Sequence, residues 1–215
     1  MKTKKQQKKS QVYDYTDKII RRINAMTVVQ LTDLPLTDFD ELNVLDNVNQ
    51  AYKMVDIFAR AEYMKLFKDS YEKAAKVAKA DDPRSVDDEQ VVVDILSKPN
   101  PVTRYIYSSE YERKRTRCYE SLMSAKEKEV RKMLIMTAIN VLCRQTKEFC
   151  NYITYMAMIK AYRDAGVLKV KWVALEDDKI CEECADLDGT VHPIDNVPIK
   201  PHINCRCWLV PVVDK

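Results

Sequence analysis

Near the end of this 215-residue chain stand five side chains with soft donor atoms: Cys181, Cys184, His202, Cys205 and Cys207. Their spacing is C-x2-C-x17-H-x2-C-x-C. Cysteine thiolate and imidazole nitrogen are the donors tetrahedral zinc prefers, and a C-x2-C pair on a tight turn commonly supplies half of such a site. The second half offers three donors for two places. In an extended segment Cys205 and Cys207 fall on one side with Arg206 opposite, so an all-cysteine site is reasonable. His202 and Cys205, spaced like the first pair, would give three cysteines and one histidine instead. The sequence leaves both sets open. Neither implies an open coordination position, so the expected cofactor is a structural zinc.

Other chemistry fits less well. Metal-free reduced cysteines, or a disulfide within the first pair or across the two halves, are the competing readings. A cysteine nucleophile with His192 or His202 is conceivable, but no motif organises one. Magnesium held by Asp188 and His192 beside a zinc would need more than the two histidines present. The seven acids from Glu176 to Asp188 read as a solvated loop. No enzymatic activity and no small-molecule substrate are expected.

A metal also answers a problem of size. About 44 residues follow from Trp172 onward, too few to bury much core. A structural metal supplies on the order of 10 kcal/mol of the missing folding free energy. Gly189 after Asp188 fits a hairpin turn between the two ligand halves. The preceding VLKVKWVAL alternates and is rich in valine, which predicts a strand.

The elements upstream are predicted to be helical. Glycine occurs only twice, at Gly166 and Gly189, where average usage would give about fifteen. Glycine makes turns and weakens helices, so a chain nearly free of it is mostly long helix. A first amphipathic helix is predicted over 11–30. Thr37 with Asp40 and Glu41 reads as an N-cap. From there Leu42, Leu45, Val48, Tyr52, Val55, Ala59, Tyr63 and Leu66 form one apolar stripe. Residues 81–101, with ADDPRS, VVVDIL and KPNP, read as a linker. Residues 103–165 contain no proline or glycine, and Ile135, Ile139, Leu142, Thr146, Phe149, Ile153 and Met156 follow helical spacing. That length predicts a long projecting helix or a helical hairpin, with Gly166 as its stop. Cys118, Cys143 and Cys150 read as core.

The organisation expected is therefore a mainly α fold, a long-helix body with a small β-containing, zinc-stapled module at the C-terminus. Its segments are a basic tail over 1–10, an N-terminal helical region over 11–101, a long helix or hairpin over 102–168, and the Cys/His-rich module over 169–215.

Charge is nearly balanced, with Lys+Arg 36 against Asp+Glu 33, so a whole-protein nucleic-acid binder is not indicated. Two local runs stand out as contacts for DNA or an acidic partner: Lys4, Lys5, Lys8 and Lys9, and Arg113, Lys114, Arg115 and Arg117. A solvated face competes with that reading at both. No leader with an apolar core and no membrane-length apolar run is legible, so a reducing cytosol is expected.

The last 45 or so residues also resemble a known family. Trp172, Asp178 ahead of Cys181, Cys184, Leu187-Asp188-Gly189, Pro201-His202, Cys205-Arg206-Cys207 and a closing aliphatic-proline strand look like the C-terminal signature of phage head-morphogenesis proteins, the minor capsid or MuF-like family. The chain departs from that signature in having Ile199-Lys200 where a second proline would precede Pro201. The resemblance implies a low-copy virion protein made in the host bacterial cytoplasm. It would sit in the capsid interior or near the portal, bind the portal, major capsid or scaffolding protein, and touch packaged DNA. The alternative from the residues alone is a zinc-containing nucleic-acid-binding regulator, which predicts cations and aromatics around the metal.

Overall fold

A computed structural model describes residues 16–26, 31, 41–78, 88–175, 180–203 and 205–212. Helical residues 16–26 (α1) are followed by α2 (Glu41–Val77), α3 (Asp88–Ser97), α4 (Tyr107–Ser124) and α5 (Lys128–Asp164). Then come β1 (Lys169–Val173), the short α6 (Glu182–Leu187), β2 (Val191–Pro193), a 3-10 turn (Ile194–Asn196) and β3 (Trp208–Val212). The fold is mostly helical with a small C-terminal sheet, as the scarcity of glycine predicts. The basic tail, the cap at Thr37 and the ADDPRS stretch lie outside the described residues.

In α2 the stripe Val48, Tyr52, Val55, Ala59, Tyr63 and Leu66 is buried, as its 3–4 spacing requires. Its first turn differs from expectation. Leu42 is 71% exposed and Val44 is buried in its place. Val44 stands one helical turn before Val48, whereas Leu42 falls on another flank. Within the expected linker, the VVVDIL segment forms helix α3.

The run of sixty residues without a breaker divides into two helices. Between α4 and α5 the chain leaves helical geometry at residues 125–127. Side chains satisfy the freed carbonyls there: Ser124 Oγ donates to Ser121 O at 2.9 Å and Arg131 Nε to Ala125 O at 2.9 Å. No glycine is needed because polar side chains supply the caps. At the end of α5, Gly166 adopts φ 70°, with Val167 N–H donating to Tyr162 O and Gly166 N–H to Arg163 O. This is the Schellman ending that its sequence predicts.

Contacts divide the chain into two compact units that are discontinuous in sequence: residues 1–62 with 108–147, and 63–107 with 148–215. In the first, Tyr52 and Tyr111 meet edge-to-face at 5.4 Å, and the Tyr111 hydroxyl donates to the Tyr52 carbonyl. In the second, Tyr63, Tyr107 and Phe149 cluster, the last two at 4.9 Å between ring centres.

The second unit also holds the sheet, in the order β2-β1-β3, with both pairings antiparallel. Val170 and Trp172 of β1 are buried, while Lys169 and Lys171 alternate to the exposed side. Trp172 faces Leu209 across the β1–β3 pair.

Candidate metal centre

Cys181 is the N-cap of α6, and its sulfur accepts the backbone N–H of Cys184 at 3.4 Å. The cap sets the spacing: one helical turn later Cys184 is carried inward, 3% exposed. Glu182 and Glu183 occupy the first turn, where acids suit the helix dipole. α6 was not legible as a helix, because six residues give too little periodicity to read.

The exit of α6 revises the expected role of Asp188-Gly189. It is not a hairpin turn between ligand halves. Gly189, at φ 77°, follows the C-cap of α6 and donates its N–H to Trp172 O at 2.9 Å. Asp188 Oδ1 accepts the Ala174 N–H at 2.7 Å, and Trp172 N–H donates to Thr190 O. The carboxylate weighed as a magnesium ligand thus ties α6 to the end of β1. His192 is elsewhere too, with Nε2 at 2.7 Å from Thr190 Oγ1.

The second ligand half lies between the 3-10 turn and β3. The Cys205 N–H donates to His202 O at 3.1 Å, a tight turn that presents both side chains together. Cys184 Sγ is 3.4 Å from His202 Nε2 and 3.7 Å from Cys205 Sγ. Donor atoms form two groups, Cys181–Cys184–His202 and Cys184–Cys205–Cys207, each within 4.8 Å throughout. All five predicted ligands therefore converge, with Cys184 shared by both groups.

The donor chemistry fits a soft or borderline divalent ion. Cys184, Cys205 and Cys207 are buried, and the Cys184 and Cys205 sulfurs are close enough for a thiol hydrogen bond. The Cys205 thiol is drawn down to about 5, chiefly because Cys207 donates to its sulfur, with the Lys200 ammonium assisting. Burial and the neighbouring Cys181 push Cys184 up to about 12. Cys207 is raised as well, because its proton serves Cys205 and because it is buried. A bound divalent cation would displace those protons.

The module rests on α5 through a stripe that the sequence does not single out. Asn151 Nδ2 donates to Ile203 O at 3.0 Å, and the Tyr155 hydroxyl to Pro198 O at 2.6 Å. Leu209 N–H meets Met158 Sδ at 3.4 Å, and the Tyr162 hydroxyl donates to Leu209 O at 3.1 Å. Residues 151, 155, 158 and 162 follow one helix face. That face clamps the His202 loop and the outer edge of β3, which removes an edge open to further strand pairing.

The described members of the second set of predicted residues belong to the other compact unit. Arg113 and Lys114 bond Glu110, at 2.8 and 3.1 Å, and those ion pairs hold its carboxyl below the usual range. Arg115 pairs with Glu112 at 2.7 Å and also contacts Asn49. Arg117 is exposed. Lys4, Lys5, Lys8 and Lys9 lie outside the described residues.

With the geometry of the five donors in place, comparison with known proteins finds a similarity over part of the chain. Residues 109–210 match the family model described as Phage Mu protein F like protein. The matched stretch runs from α4 to β3 and contains all five donors. The match covers 102 of the 215 residues. No curated protein and no solved structure matches the chain. Among the described residues, no helix is long and apolar enough to cross a membrane.

Proposed function

We propose that this chain is a minor head protein that works by binding, without catalysing a reaction. It docks on the portal protein, or on the major capsid or scaffolding protein beside it, during head assembly in the infected bacterial cytoplasm, and stays inside the capsid or at the portal. The observation that carries this is the family match over residues 109–210. The geometry supports it: five soft donors converge, with Cys184, Cys205 and Cys207 buried and Cys181 and His202 half-buried, an arrangement suited to holding an ion.

In this reading the cluster holds a structural zinc through Cys184, Cys205 and Cys207, with Cys181 or His202 completing the shell. The ion would join α6, the 198–205 segment and the start of β3, three pieces with little apolar surface of their own. Packaged DNA is a further contact in this proposal. Arg117 is its freest candidate, since carboxylates already engage Arg113, Lys114 and Arg115. A nucleic-acid-binding regulator is less well supported, because exposed Glu182, Glu183 and Asp186 put negative charge beside the cluster, where phosphate would be repelled.

The test is co-expression with the portal and capsid proteins of the same phage, followed by gradient separation of assembled heads. The protein should sediment with heads or portal rings. Recovery only in the free protein fractions would refute the assignment.

A further inference from the structure

Cys184, Cys205 and Cys207 are 3%, 1% and 5% exposed, so charge placed among them is poorly screened. A divalent ion with four thiolates is a doubly negative centre, and one with three thiolates and an imidazole is singly negative. Such charge is disfavoured in a protein interior unless an opposite charge lies close by. The adjacent helix makes matters worse, since α6 contributes only acids.

One cation is built into the surroundings. Lys200 Nζ donates to the carbonyl of Cys205 at 3.2 Å and lies 5.3 Å from the centre of the Tyr155 ring. Tyr155 is itself fixed, buried in the core and bonded through its hydroxyl to Pro198 O. The ammonium is thus wedged between an aromatic face and the backbone of a ligand residue. No carboxylate pairs with it among the described residues. Lys200 is half-buried as a residue, and an ammonium satisfied by one carbonyl and one ring is poorly compensated unless the cysteine sulfurs beside it carry negative charge.

We infer that Lys200 is the positioning cation of this metal centre: its ammonium offsets the thiolate charge and holds the Cys205 backbone where Cys205 and Cys207 reach the ion. The inference rests on the metal reading above and deepens it. Lys200 bonds the ligand's carbonyl and not its sulfur, so it acts through Cys205.

Three substitutions separate charge from hydrogen bonding. Lys200→Arg keeps both, Lys200→Gln keeps a donor without charge, and Lys200→Met keeps neither. Zinc affinity is read by competition with a chromogenic chelator on the full chain, with far-ultraviolet circular dichroism confirming that each variant is folded. Partners beyond the ligands typically contribute about 10- to 100-fold in metal affinity. The account expects Arg within about threefold of the unaltered protein and both Gln and Met weakened roughly tenfold or more. Should Met fail to fold, the Arg–Gln comparison decides alone. Gln binding zinc as tightly as Arg would overturn the role of the charge. An unaltered protein that takes up no zinc would overturn the metal reading and this inference together, whereas equal affinities with zinc bound overturn only the role of Lys200.

Discussion

Cys184 belongs to both donor groups and is nearly sealed from solvent, so its loss removes a ligand from whichever set closes the shell. Cys184→Ser should abolish stoichiometric zinc, whereas Cys118→Ser, in the other compact unit, should leave it intact. Elemental analysis of protein purified under reducing conditions checks both. Acid should act in the same direction as the serine. Cys184 and Cys207 have raised pKa values in the metal-free cluster, so near neutrality they hold protons that zinc must displace. Affinity therefore rises with pH and falls as protons compete. Chelator competition at about pH 8 and about pH 6 should show weaker retention in acid, and a pH-independent affinity would exclude the thiols as ligands. At this scale the sequence was legible where type and spacing carry the chemistry, which is why all five donors could be named. Lys200 was not, because a lone lysine beside Pro201 has no pattern, and its meaning comes from the Tyr155 ring and the Cys205 carbonyl that the fold brings to it.

Helix α5 does two jobs along its length. Ile135, Ile139, Leu142, Phe149 and Ile153 fill cores, while Asn151, Tyr155, Met158 and Tyr162 hold backbone atoms of the module. Tyr162→Phe keeps the ring and removes the bond to Leu209 O, so thermal or urea unfolding should show a loss of about 1 kcal/mol. Gly166→Ala should cost about 1 kcal/mol as well, because φ 70° is unfavourable for alanine although no atom stands within 4 Å of an added Cβ. No change in either variant would mean that the end of α5 frays without consequence for the module. Helix existence and the glycine stop followed directly from composition and periodicity. The break at 125–127 did not, since it depends on Ser124 and Arg131 reaching particular carbonyls. The clamping stripe was hidden for another reason: tyrosine and methionine at helical spacing look the same whether they meet side chains or the backbone of a distant strand.

Across the whole molecule the mainly helical fold and its small terminal sheet were readable, but the way the units draw on separated segments was not. Residues 63–107 and 148–215 share a unit through contacts such as Tyr107 with Phe149, which no local pattern encodes. The placement of tryptophan gives a direct probe of the claim that a metal holds the module together. The chain has two tryptophans, Trp172 in β1 and Trp208 in β3, so tryptophan fluorescence reports on the module alone while circular dichroism at 222 nm is dominated by the helices. The decisive measurement is a chelator titration that follows fluorescence, helicity and released zinc on one sample. The account predicts about one zinc per chain, released together with a red shift of tryptophan emission as Trp172 meets water, while most of the helical signal persists. A metal-free protein with blue-shifted emission that the chelator leaves unchanged would contradict it.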